Sequence, residues 1–69
     1  MNWERIAGNW KQMKGKVREQ WGFLTDDDLD VIAGKRDVLV GKLTEYYGLT
    51  RNRAERAVEE FLKGLDKAA

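Results

Sequence analysis

Six apolar residues, Trp3, Ile6, Trp10, Met13, Val17 and Trp21, recur at three- and four-residue spacing near the start of the chain. At about 100° per residue they fall within an arc of roughly 80°, with the tryptophans almost on one line. That is the apolar stripe of an amphipathic helix over 3–21, and its simplest use is a core face. The other use of aligned aromatics is an exposed stacking platform for bases or a partner. Strand-type alternation is absent, and there is no proline in the 69 residues to interrupt a helix.

The rest of the chain is punctuated by glycines. Gly22 is placed to stop the first helix, and Thr25 to cap the next, with Asp28 three residues later as the acidic member of a capping box. This predicts a short helix over 26–33 that buries Leu29 and Ile32. Gly34 marks the next break. A third helix is expected over 35–47, with Leu39, Leu43, Tyr46 and Tyr47 inward, stopped by Gly48. Thr50 then caps a fourth helix to about residue 65, whose apolar face is Ala54, Ala57, Val58, Phe61, Leu62 and Leu65.

The two halves match. A shift of 26 positions lays Gly8 on Gly34, Gly15 on Gly41, Gly22 on Gly48, Lys16 on Lys42, Glu19 on Glu45 and Trp21 on Tyr47. One deleted residue in the second joint then aligns Thr25 with Thr50. The predicted fold class is all-α: four helices forming two hairpins that bury their apolar faces against each other, in a single domain over residues 1–69. Three tryptophans and two capped hairpins favour a packed core over a disordered protectant.

The stretch "GNWKQMKGKVREQWGFLTDDDL" followed by "GKRDVLVGKLTEYYG" resembles the CsbD-like family of small bacterial stress-associated proteins. The resemblance runs from Gly8 to Gly48, about two thirds of the chain; the last third reads as a generic amphipathic helix. It implies two roughly orthogonal helical hairpins, similar to the SAM and helix-hairpin-helix arrangements, and induction under general stress. It implies no catalytic residue, no cofactor and no settled molecular activity.

Composition narrows the function classes. With neither cysteine nor histidine, disulfides, Cys/His zinc sites and catalytic groupings that need those residues are excluded. No nucleophile–base pair is evident, so no enzyme is expected. The expected location is the cytoplasm, because the chain start resembles no signal peptide and no apolar run could span a membrane. The net charge of +1 conceals a segregated pattern: residues 1–22 carry +3 and residues 23–33 carry −4.

The two joints differ in sign. Asp26, Asp27 and Asp28 suit the positive end of a helix, and as adjacent residues they point in different directions, so no metal site is expected. Arg51 and Arg53 sit where cations are unfavourable, offset in part by Arg51–Glu55 and Arg56–Glu60 pairs at i,i+4 spacing. Arginines beside free helix-start amides also hold anions. Lys11, Lys14, Arg18, Arg51 and Arg53 are therefore the candidate anion or nucleic-acid contacts, secondary to an unidentified protein partner. Gly8, Gly15, Gly34 and Gly41 are expected on outer faces, either tolerated there or forming a smooth contact surface.

Overall fold

The computed structural model describes residues 2–68, and these form five helices rather than four: α1 (Trp3–Gly8), α2 (Trp10–Gln20), α3 (Asp26–Ile32), α4 (Arg36–Tyr47) and α5 (Arg51–Ala68). All regular structure among the described residues is helical. The extra element arises because the predicted first helix breaks at Asn9, whose ψ of 34° leaves the helical range. Its N–H is shared between the carbonyls of Arg5 and Ile6, both at 3.2 Å, and its own carbonyl starts α2 by accepting from Gln12 and Met13 at 2.9 Å. Gly8 and Asn9 are poor helix formers, so the break costs little there. It lets Trp3 and Trp10 donate their indole N–H groups to separate carbonyls, Gly34 at 2.8 Å and Leu29 at 3.1 Å.

The core is built from every helix: Ile6, Val17, Trp21, Leu29, Ile32, Leu39, Val40, Leu43, Ala54, Val58 and Phe61, with Leu24 added from the α2–α3 joint. Trp21 meets Phe61 with ring centroids 5.1 Å apart. The tryptophan stripe does face inward, but Trp3, Trp10 and Met13 are only half-buried at its edge. The 18-residue α5 is about 27 Å long at 1.5 Å per residue, against a longest molecular dimension of 30 Å.

The α2–α3 joint keeps the predicted capping box. Thr25 Oγ1 accepts from the Asp28 N–H at 3.2 Å, and Asp28 Oδ2 accepts from the Thr25 N–H at 2.9 Å. At the α4–α5 joint Thr50 Oγ1 accepts from the Arg53 N–H at 3.2 Å. The matched glycines nevertheless do different jobs. Gly48 ends α4 in the left-handed region at φ 65°, whereas Gly22 is not left-handed and α2 ends on Trp21 at φ −125° and ψ 88°. Gly34, expected on an outer face, is buried in the α3–α4 turn at φ 82°, where an added Cβ would lie 3.2 Å from the Ala7 Cα. The preceding Ala33 is also left-handed, at φ 47°, so α3 stops at Ile32. Gly8, Gly15 and Gly41 do face open space.

Candidate functional site

The acidic joint is a network. Asp28 is 6% exposed, held in the first turn of α3 by its capping box. Its Oδ2 also accepts from Thr25 Oγ1 at 3.0 Å, and its Oδ1 accepts from the Tyr46 hydroxyl at 2.6 Å and pairs with Lys42 Nζ at 3.3 Å. The Thr25 backbone N–H, then the Tyr46 hydroxyl, hold the Asp28 carboxyl well below the usual carboxylate range. The same carboxylate raises the Lys42 and Tyr46 pKa values, because it stabilises the ammonium and keeps the phenol proton in its hydrogen bond. Lys42 also lies 5.7 Å from the Tyr46 ring centroid. Every oxygen of Asp28 is thus occupied from within the fold. Nothing in the spacing of these residues announces the network, since Lys42 and Tyr46 are brought in by the packing of α4 on α3.

The five basic candidates do not form one surface. Arg18 pairs with Asp26 at 2.8 Å and Lys14 with Asp30 at 3.9 Å, so these two residues of α2 neutralise carboxylates of α3. Arg51 lies 3.6 Å from both Asp37 and Glu55. Lys11 and Arg53 are exposed and outside these pairs. The Arg51–Glu55 pair forms as expected; an Arg56–Glu60 pair does not appear among the described ion pairs. Here the reversed signs of the two joints acquire a structural use: the acidic run answers the basic helix before it, and Arg51 answers Asp37 of α4.

Among the described residues two large apolar side chains remain outside. Phe23 is 66% exposed and Val31 61%. Phe23 is held in place: its ring stacks on Tyr47 at 4.8 Å and 20°, and its N–H donates to the Tyr47 hydroxyl at 3.2 Å. A shallow groove of about 400 Å³ lies between α2 and α5, with Lys16, Glu19, Glu60 and Phe61 on its walls. Among the described residues no group of three or more Asp or Glu is arranged to hold a metal ion, and no helix is long and apolar enough to cross a membrane.

The sequence profile described as CsbD-like matches residues 4–56. The chain belongs to the CsbD-like family. The match reaches beyond the Gly8–Gly48 frame, to Glu4 in α1 and Arg56 in α5, so the start of the last helix carries family character too. The chain is 56% identical over 66 residues to UPF0337 protein YjbJ of Escherichia coli O6:H1, covering 96% of each chain. It is 57% identical over 61 residues to the protein of that name in Escherichia coli K12, covering 88% of each. UPF0337 protein NE2439 of Nitrosomonas europaea is 52% identical over 68 residues, covering 99% of this chain and 72% of that one. The CsbD-like relatives are bacterial, and their names assign no reaction.

Proposed function

We propose that this CsbD-like chain is a non-catalytic interaction module of the bacterial general stress response, acting in the cytoplasm on a protein partner. The observation that carries this reading is the pair Phe23 and Val31, left in solvent beside a core that is otherwise closed. Isolated exposed apolar residues are common, but an aromatic ring immobilised on another ring is a ready anchor for a partner. Asp28, Lys42 and Tyr46, whose pKa values are shifted, are engaged with one another, which supports a structural role for them over an acid–base one. The test is a photo-cross-linking residue at position 23 in living bacteria, with and without stress. Discrete cross-links to a protein, enriched under stress and absent from a probe at exposed Lys11, are expected; their absence refutes the reading.

The same reading keeps the two hairpins as products of an internal duplication. The ion pairs of Lys14 with Asp30 and Arg18 with Asp26, and the packing of α4 on α5, support it. With Trp21 on Tyr47, Gly22 on Gly48, Leu24 on Leu49 and Thr25 on Thr50, Phe23 is the extra residue of the first joint. Deleting Phe23 should leave a folded chain, and unfolding of that variant counts against the duplication.

A nucleic-acid contact through Lys11, Lys14, Arg18, Arg51 and Arg53 has less support, because three of the five already pair with carboxylates. A salt titration with short DNA and RNA tests it. The contact requires binding at low salt with a log–log slope on the order of −2 to −4, and flat, salt-independent data or no binding ends it.

A further inference from the structure

We infer that Phe23, Asp27 and Val31 form a docking strip for a basic amphipathic segment of the protein partner, one that places an arginine at Asp27 between two apolar side chains. This rests on the interaction reading above and names the partner's chemistry.

The strip follows from which aspartates the fold uses. Of the four in residues 26–30, Asp26 pairs with Arg18, Asp28 with Lys42 and Asp30 with Lys14. Asp27 has no such pair among the described residues and is exposed. On α3 it lies one turn before Val31, so the two side chains share an outward face while Asp28, Leu29 and Ile32 point inward. Phe23 precedes the cap of the same helix, and Tyr47 of α4 holds it from behind. Asp27 and Val31 give a carboxylate and an apolar residue one turn apart on α3, and Phe23 adds a fixed ring in the joint two residues before the Thr25 cap, which suits a helix carrying its own apolar anchors beside a cation.

Charge and ring chemistry decide the occupant. An unpaired carboxylate repels phosphate, so nucleic acid and anionic lipid are disfavoured on this face. It attracts a guanidinium or ammonium, and a guanidinium also gains from lying over the free face of the Phe23 ring. Because Phe23 is already fixed by Tyr47, little ordering is needed at the anchor when the partner arrives.

The probe is a short alanine-based helical peptide with a central arginine pair flanked on each side, one turn away, by leucine. Its control is the same peptide with glutamates for the arginines. Affinity is read by calorimetry, and the site by amide shifts in NMR spectra. The arginine peptide should bind and shift residues around 23, 27 and 31, and the glutamate peptide should bind much more weakly. Phe23→Ala should weaken binding about tenfold, as loss of an anchor does, and Asp27→Asn about two- to fivefold, as loss of one exposed charge pair does. Val31→Lys should abolish it. Circular dichroism on each variant confirms the fold, since none of the three residues lies in the core. The proposal is overturned by equal affinity for both peptides, by shifts mapping elsewhere, or by no binding at about millimolar peptide. It is also overturned if the chain self-associates in a way that Phe23→Ala removes, which would make a second copy the occupant. If the peptide fails while the cross-linker at position 23 still captures a stress-enriched protein, the docking chemistry is wrong and the interaction module stands.

Discussion

Replacing Gly15 by alanine should make the protein more stable. Gly15 lies in the middle of α2, with helical residues on both sides. A Cβ built on it meets nothing within 4 Å, so the change brings neither a clash nor a new contact. What remains is the backbone: glycine in a helix interior is about 0.8–1 kcal/mol less favourable than alanine, because the unfolded chain loses more freedom there. For a domain of this size 1 kcal/mol corresponds to roughly 4–8 °C in melting temperature, so Gly15→Ala should raise it by about 3–8 °C. Gly41, inside α4, faces equally open space, and the double variant should gain about 2 kcal/mol if the sites act independently. Gly48→Ala is the control. At φ 65° an alanine is strained, and the loss should be about 1–2 kcal/mol. Thermal melts and urea titrations with unchanged slope measure all of these. A lower melting temperature for Gly15→Ala would refute the argument and mean that the outer face of α2 is not free in the folded protein.

Four further outcomes are expected. Thr25→Ala and Thr50→Ala should each lose about 1 kcal/mol of cap stability, but the loss at Thr25 should be the larger, because its hydroxyl also donates to Asp28; equal losses in chemical denaturation would refute a structural role for that extra bond. Trp10→Phe keeps most of the ring but removes the indole bond to the Leu29 carbonyl, costing about 1 kcal/mol, and a melt unchanged from the parent speaks against it. Leu39→Ala, at a fully buried site, should cost about 2–5 kcal/mol and leave much of so small a domain unfolded by circular dichroism. Acid should act through Asp28. Its carboxyl is lowered in the folded state, so its contribution is present above the ordinary value of about 3.9 and disappears as pH falls through and below it. Asp28→Asn should therefore be less stable at neutral pH and show a flatter acid limb. Tyr46 and Lys42, both raised, add the opposite limb, with stability lost as pH rises beyond about 10.

What could be read from the sequence was mostly local. Thr25 and Asp28 are three residues apart and their capping box needs nothing else, so the start of α3 was visible. The inward faces of α3 and α5 followed from helical spacing, and Gly48 from its place at a helix end. Features that depend on distant residues were hidden. The stripe from Trp3 to Trp21 is continuous in sequence, and only the carbonyls of Gly34 and Leu29, supplied by other parts of the chain, reveal why it divides at Asn9; the Gly8–Asn9 pair was the available warning. Gly34 looked like a repeat of Gly8, yet α1 crosses over it, and that crossing fixes its role. Among the site residues the sequence shows the segregated charges, but not their partners. Asp28 meets Tyr46 across 18 residues and Arg18 meets Asp26 across eight. Phe23 carries no such signal, because one aromatic in a joint has no period to reveal it.

The break at Asn9 also sets an order of assembly. The six residues of α1 are far too few to hold a helix unaided, and the indole of Trp3 finds its acceptor 31 positions along the chain, in the turn between α3 and α4. The pairs joining α2 to α3 and α3 to α4 close shorter loops, between eight and 19 residues. Loops of that length form first, and α1 docks on a turn that must already exist. Folding experiments should then find Trp3→Phe without effect on the folding rate but with faster unfolding. The tryptophan nearest the start of the chain would be the last to arrive and the first to leave.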